Sequence, residues 1–148
     1  MYQDLQSTFS KAQSIAGAFG TGILSTNVID MGAPANVKQN TLAQNAQVNK
    51  FDAPHIPLEI AVVEDLAGAS GGVTIEVLQS AASNMGTPDV LFSVTIPAAQ
   101  FKVGYRVKIK ELPMGINKQY VSLRYTPLVS NSTAGKVTAF IPSAKQLD

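Results

Sequence analysis

Tyr105-Arg106-Val107-Lys108-Ile109-Lys110 is the stretch that decides the fold, because apolar and cationic residues alternate along it. Two more runs of this kind follow, Tyr120-Val121-Ser122-Leu123-Arg124-Tyr125 and Lys136-Val137-Thr138-Ala139-Phe140-Ile141. Alternation with a period of two is typical of a strand that buries one face against a core. The pattern therefore predicts that the last third of the chain is antiparallel β-structure.

The alternation also assigns each side chain to one face of its strand. The residues we expect in the core are Val107, Ile109, Val121, Leu123 and Tyr125. Those we expect to face solvent or a partner are Arg106, Lys108, Ser122 and Arg124. A shift of one residue would exchange the two sets completely, so their burial tests the prediction directly.

Shorter apolar runs earlier in the chain predict further strands at 25–30, 56–63, 73–80 and 90–96. Turn residues separate these runs, and no long helical pattern interrupts them. This spacing predicts an all-β fold, an antiparallel jelly-roll-like β-sandwich that forms a single domain over residues 1–148. Residues 2–18 are ambiguous, since their apolar residues recur near helical spacing but run into a Gly- and Ser-rich stretch. A short helix and an extended arm both fit.

Two segments carry apolar residues without a periodicity that would bury them, an N-terminal arm at 1–24 and a long loop at 35–55. Loops of this length in compact domains are usually functional or disordered. Exposed apolar groups usually mark an interface, although a merely tolerated surface loop at 35–55 is the alternative. The residues that we predict to contact a partner or a second copy are Leu5, Phe9, Phe19, Leu42, Val48 and Phe51.

The composition predicts one globular domain, since 45% of the 148 residues are hydrophobic and only 14% are charged. So weakly charged a surface suits permanent packing against other protein better than long-range steering, although an ordinary monomer also fits. The chain has no cysteine, which excludes disulfides and thiolate metal sites. We expect a soluble protein that stays inside the producing cell until assembly, because we see neither a signal peptide nor a long apolar run.

Residues that could carry chemistry are few. The only histidine, His55, lies between two prolines, and the acidic pair Glu64-Asp65 points to opposite faces if it is in a strand. The glycine-rich stretch 68–72 lacks the Lys-Ser/Thr of a phosphate-binding loop. We therefore predict no catalytic, cofactor-binding or metal site, and no enzyme. Cations are concentrated in the second half of the chain, but without interleaved aromatic platforms, so we expect no nucleic-acid partner.

The order of motifs in the last third resembles that of the capsid cement, or decoration, proteins of tailed bacteriophages. The motifs are Gly104-Tyr105-Arg106-Val107, Glu111-Leu112-Pro113-Met114-Gly115, the 120–125 run, and Thr133-Ala134-Gly135-Lys136-Val137-Thr138-Ala139-Phe140. Two early segments, 9–15 and 25–32, also match the family pattern. The departure is 35–55, which is longer and richer in Asn and Gln than the family pattern.

This resemblance implies a jelly-roll sandwich on the outer surface of an icosahedral virion head, where it clamps adjacent subunits of the major capsid protein. It also implies a homo-oligomer, and we favour a dimer over a trimer because twofold assemblies are the commonest. Two other classes remain open: a carbohydrate-binding β-sandwich and a tail or fibre subunit. The first would be expected to show exposed aromatic platforms, and the second internal repeats.

Overall fold

The computed structural model describes residues 8–17, 19–30, 58–107 and 118–141. Within those ranges the chain forms strands and a single 3₁₀ turn at Ala98–Gln100. The strands are β1 (Thr8–Ser14), β2 (Ile23–Leu24), β3 (Ile29–Asp30), β4 (Glu59–Gly68), β5 (Val73–Ser80), β6 (Asp89–Ile96), β7 (Tyr120–Pro127) and β8 (Ser132–Phe140).

The strands form two antiparallel sheets. The small sheet has the order β1-β8-β4, and the large sheet has the order β2-β7-β5-β6, with β3 also paired to β7. Residues 104–107 run along the outer edge of β4, where Gly104 N–H donates to Val62 O and Val107 N–H donates to Ile60 O, at 3.0 and 2.9 Å. The first strand therefore lies beside the last, and the chain crosses repeatedly between sheets, as in a jelly roll. The predicted all-β antiparallel sandwich is confirmed.

The core lies between the two sheets and is built from the inward residues of alternating strands. Val73, Ile75 and Val77 on β5 are fully buried. Ile75 pairs with Tyr125 and Val77 with Leu123 on β7, and these two partners are also fully buried. Burial of a side chain of this size contributes roughly 1.5–3 kcal/mol. The predicted core positions Val107, Val121, Leu123 and Tyr125 are confirmed, whereas Ile109 and Lys108 lie outside the described residues.

Ser122 corrects the predicted faces. It points away from the core, as the alternation requires, yet its side chain is fully buried. Across the ladder it pairs with Leu78, which is also fully buried and lies outside the main core cluster. The outer face of the large sheet is therefore covered at this point. The Ser122 hydroxyl finds no hydrogen-bond partner in the part of the chain that the structure describes. Alternation gives the direction of a side chain, not what covers it.

The N-terminal segment is also different from the expectation of a helix or a free arm. Residues Thr8–Ser14 form a strand that pairs with β8, and Phe9 and Ile15 are fully buried. The predicted interface role of Phe9 is wrong, because this ring belongs to the protein's own core. The pairing of β1 with β8 is broken by two register shifts. These shifts disturb the period of two, so the apolar residues of the N-terminal segment recur at a spacing that resembles that of a helix.

The Tyr125 hydroxyl connects the two sheets through the core. It lies 2.8 Å from Ser10 Oγ on β1, so that one hydrogen bond joins the large sheet to the small one. Burial raises the pKa of Tyr125 well above its usual value, and the hydrogen bond with Ser10 opposes this only in part. The phenol therefore stays neutral, and its hydrogen bond with Ser10 links the two sheets.

Candidate interaction surfaces

The two ends of the sandwich differ. We call the end formed by residues 19–22, 69–72 and 128–131 the tip. The opposite end is the base, where the start of β1, the end of β3 and the start of β4 lie beside the start of β7 and the end of β8. The described chain stops at the base on either side of 31–57 and of 108–117, and again after Ile141. Asp30 and Leu58, between which the predicted loop 35–55 falls, therefore lie at the base, whereas Phe19 lies at the tip; the loop itself lies outside the described residues.

No group of three or more His, Cys, Asp or Glu that could hold a metal ion occurs in the described ranges. The two acidic residues of the Glu64-Asp65 pair are used structurally: Glu64 accepts a hydrogen bond from Gly135 N–H, and Asp65 accepts one from Val103 N–H. His55 lies outside the described residues. No helix in the described ranges is long and apolar enough to span a membrane.

Four of the described cations have carboxylate partners. Arg106 Nη1 lies 2.7 Å from Glu59 Oε1, Lys118 Nζ lies 2.7 Å from Asp89 Oδ2, and Arg124 Nε lies 2.7 Å from Glu76 Oε1. Lys136 Nζ is within 3.9 Å of Glu64. Exposed pairs of this kind contribute little to stability, but they neutralise much of the positive charge that the second half of the chain carries.

The pair at the start of β6 has a visible electrostatic effect. The hydrogen bond from Lys118 holds the pKa of Asp89 below its usual value, with the charge of Lys118 and a hydrogen bond from Gln79 adding to it against the opposing effect of desolvation. Asp89 is therefore ionised and already compensated at neutral pH.

A shallow polar pocket of ≈ 270 Å³ lies on the outer face of the large sheet, next to the tip. Its lining residues are Gly20, Thr21, Thr74, Glu76, Arg124 and Thr126. The Arg124–Glu76 ion pair forms part of the lining. Sugar sites usually use aromatic rings as stacking platforms, and none of these residues is aromatic. The pocket therefore lacks the feature that would favour a carbohydrate site.

The large apolar side chains that are exposed in the described ranges fall mainly into three pairs. Phe19 and Val129 lie at the tip, Val90 and Phe92 lie on β6, and Val63 and Val103 lie where β4 meets residues 101–107. The remaining one is Leu24 on β2. The sequence singled out only Phe19. The run Val90-Leu91-Phe92 could have revealed the second pair, because three successive apolar residues break the alternation of a half-buried strand.

Hydrogen bonds tie the three connections of the tip to one another. Phe19 N–H donates to Asn131 Oδ1 over 2.9 Å, and Ala69 N–H donates to the carbonyl oxygen of Asn131 over 3.2 Å. Leu128 N–H donates to Gly72 O over 2.9 Å. The tip is thus held by the ends of both sheets, so its exposed side chains are presented from a fixed frame.

Val129 is both the most exposed large apolar residue at the tip, at 66%, and a strained one, with φ of 75°. A β-branched residue rarely adopts this left-handed conformation. Its position depends on Gly71, because a Cβ on Gly71 would lie 2.6 Å from Val129 Cγ2. Strain of this kind persists only where the surrounding structure enforces it, and it is concentrated at functional sites.

The predicted contact residues are thus divided among three outcomes. Phe9 is in the core, as described above. Phe19 is 49% exposed at the tip, which fits a contact surface without testing it. Leu5, Leu42, Val48 and Phe51 lie outside the described residues, and their role stays a prediction.

The fold and its surfaces define a class of protein, a jelly-roll β-sandwich. Its described residues form exposed apolar surfaces, and they include no cluster of side chains that could hold a metal ion. The particular family follows from comparison of sequences. The model of the Bbp16 family matches residues 9–141, and the chain belongs to this family. No curated protein matches the chain closely enough to count as a relative.

Proposed function

We propose that this protein is a capsid cement protein of a tailed bacteriophage. It binds the outer surface of the icosahedral head and clamps adjacent subunits of the major capsid protein. In this proposal the protein is a structural part of the virion and not an enzyme, it uses no cofactor, and it contacts neither nucleic acid nor membrane. It acts as a homo-oligomer, a dimer rather than a trimer.

The observation that carries the proposal is the tip. A strained, exposed Val129 and a half-exposed Phe19 are held in place by hydrogen bonds from the ends of both sheets. Exposed apolar groups on a rigid frame lose little conformational entropy when they bind, so they favour a permanent contact with another protein. The order of motifs in residues 104–140, which resembles the cement family, supports the major capsid protein as that partner.

The energetics of a shell suit such a protein. A ligand that binds only the assembled head stabilises it by mass action. Many copies act in parallel, and an oligomer that bridges two capsid subunits gains from the high effective concentration of its second contact. A modest apolar contact at each copy is therefore sufficient.

The test is decoration of heads that lack the protein. Purified heads are mixed with wild-type protein or with the variants Phe19→Ala and Val129→Ser, and occupancy is measured by co-sedimentation and by cryo-electron microscopy. We expect wild-type protein to cover the outside of the head and both variants to bind with reduced occupancy. The matched control is Val103→Ser, because Val103 is exposed to 64% but lies away from the tip.

Absence of wild-type protein from the outer surface of the head would refute the cement function. If both tip variants decorate heads as fully as Val103→Ser does, the tip is not the contact. A glycan array separates the carbohydrate alternative, for which we expect no binding because the polar pocket contains no aromatic side chain.

A further inference from the structure

Strand β6 is an edge of the large sheet as the described residues form it. Its inner side pairs with β5 from Val73–Ile96 to Gln79–Asp89, with one register shift that leaves Leu91 without a partner in the ladder. On the outer side of β6, no hydrogen bond to the main chain comes from any other residue in the described ranges. A row of unpaired N–H and C=O groups of this length is a template for another strand.

The edges of the small sheet, by comparison, are occupied. The outer edge of β4 is paired with residues 104–107, including Val62 N–H to Tyr105 O at 3.0 Å. The outer edge of β1 receives Asn27 N–H at the carbonyl oxygen of Phe9, and the side chain of Gln13 binds both Thr26 N–H and Leu24 O. Among the described strands, β6 is therefore the longest whose outer edge has no main-chain partner in the described ranges.

The sequence of β6, Asp-Val-Leu-Phe-Ser-Val-Thr-Ile, contains no Lys, Arg or Pro, and the one irregularity in its pairing with β5 is a register shift at Leu91. Natural edge strands carry Lys, Pro or inward charges that prevent edge-to-edge association. The only charge here is Asp89 at the first position, which Lys118 already compensates. Val90 and Phe92 are 50% and 47% exposed, and Phe92 lies directly opposite the fully buried Val77 on the core-facing side of the sheet.

We propose that β6 pairs with β6 of a second copy of this chain, antiparallel about a twofold axis at Ser93. This register places Phe92 of one copy opposite Val94 of the other on the core-facing side, so each copy covers the exposed ring of its partner. Aromatic and β-branched residues in such cross-strand positions stabilise the pairing of the two strands. The inner face of the sandwich then continues from one protomer into the next.

The charges on β6 favour this occupant. Antiparallel pairing about Ser93 puts the two Asp89 carboxylates roughly 26 Å apart, from eight residues at ~3.3 Å each, well beyond the Debye length of about 8 Å. An uncharged edge offers nothing that would select a charged foreign strand. A twofold pair also uses each edge once and closes the assembly.

This inference rests on the homo-oligomer part of the proposed function and not on the capsid part. The measurements use the free protein in solution, so their outcome is independent of whether the protein decorates heads. If the β6 pairing is refuted, the head-binding proposal is unaffected. If the protein does not bind heads, the proposed dimer is unaffected.

Cysteine cross-linking tests the pairing directly, since the natural chain contains no cysteine. Single cysteines are placed at Phe92, Ser93, Val94 and Thr95, and the proteins are oxidised at micromolar concentration. We expect Ser93→Cys to give mainly covalent dimer, because the residue on a twofold axis faces its own copy. The matched control is Ser130→Cys, an exposed serine in the β7–β8 turn at the tip, which should stay monomeric on a denaturing gel.

A charge at the axis tests the same contact without cross-linking. Ser93→Glu brings two like charges together in the dimer, so light scattering should show loss of the dimer, whereas Ser130→Glu should keep it. The melting temperature of the wild type should also rise with protein concentration.

A wild-type protein that is monomeric throughout the micromolar range would overturn the proposal. So would oxidation at all four β6 positions that gives no more dimer than the Ser130→Cys control. If Ser93→Glu fails to fold, the cross-linking result alone decides, because the cysteine variants change the exposed strand very little.

Discussion

Val129 holds a backbone conformation that its own side chain disfavours. A left-handed conformation costs an ordinary residue roughly 1–2 kcal/mol, whereas glycine adopts it freely. The strain at φ of 75° is therefore removable by substitution. If the tip contacts a partner, that contact is a reason for the protein to keep the strained Val129 at a cost in stability.

We expect Val129→Gly to stabilise the isolated protein by about 1 kcal/mol, since relief of the strain exceeds the ~0.4–1 kcal/mol of added freedom in the unfolded chain. Val103 is the matched control because it is equally exposed and has no positive φ. Val103→Gly should destabilise by the entropic amount alone. Urea unfolding of both variants measures the difference, and a loss of stability in both would show that Val129 is unstrained.

Tyr125 makes the stability of the fold sensitive to alkali. Below pH of about 10 the phenol is neutral in both the folded and the unfolded chain. Above it the unfolded chain releases this proton while the folded chain keeps it, because burial raises the pKa of Tyr125. The unfolded state then binds fewer protons, so the free energy of unfolding falls as the pH rises.

Tyr125→Phe should remove this contribution. At neutral pH we expect it to cost about 0.5–1.5 kcal/mol through loss of the hydrogen bond with Ser10. Between pH of about 10 and 12 its free energy of unfolding should fall less steeply than that of the wild type, by up to ~1.4 kcal/mol per pH unit. Denaturant unfolding at several pH values measures both slopes, and parallel slopes would contradict the prediction.

At the scale of the element, β1 is part of the core rather than an arm. Phe9→Ala should destabilise by roughly 3–5 kcal/mol, since the ring is fully buried. Phe19→Ala, the same substitution at a half-exposed ring, should change stability by about 0.5 kcal/mol. Thermal unfolding compares the two, and equal effects would refute the assignment of Phe9 to the core. Deletion of residues 1–12 is expected to prevent folding, because it removes most of β1.

Strands with regular alternation are the part of this fold that could be predicted from sequence. Residues 73–80 were expected as a strand and form β5 with the same limits, because Val73, Ile75 and Val77 repeat with the period of a pleated strand. The run at 105–110 is different, since in the described residues it contributes only the bridge between Arg106 and Ala61.

Features that depend on a third element could not be predicted in this way. Phe9 gave a helical signal because irregular pairing with β8 disturbs the strand period. Burial of Ser122 depends on what covers the outer face of the sheet, and exposure of Phe92 depends on β6 being an edge. Neither property is encoded in local periodicity, so the candidate surfaces at β6 and Val129 had to come from the structure.

At the scale of the whole molecule, β8 closes the fold from the end of the chain. It lies between β1 and β4 and is the only strand in the described ranges that pairs with either of them. A fragment that ends at Asn131 therefore leaves the small sheet without its central strand, and we expect it to remain unfolded by circular dichroism. A peptide of residues 132–148 should restore β-structure by adding that strand in trans. A fragment 1–131 with native near-ultraviolet dichroism would contradict this.

The pairing of the first strand with the last also fixes how the molecule responds to force. Thr8 at the start of β1 lies opposite Phe140 at the end of β8, and both are at the base. Tension that separates these two points opens the hydrogen bonds between β1 and β8 one after another, like a zipper, so little force is needed. Tension applied between the tip and β6 instead acts on several hydrogen bonds of the large sheet at the same time. Under the proposed function, a protein held at the tip and at β6 would therefore resist an expanding shell better than one held at Thr8 and Phe140.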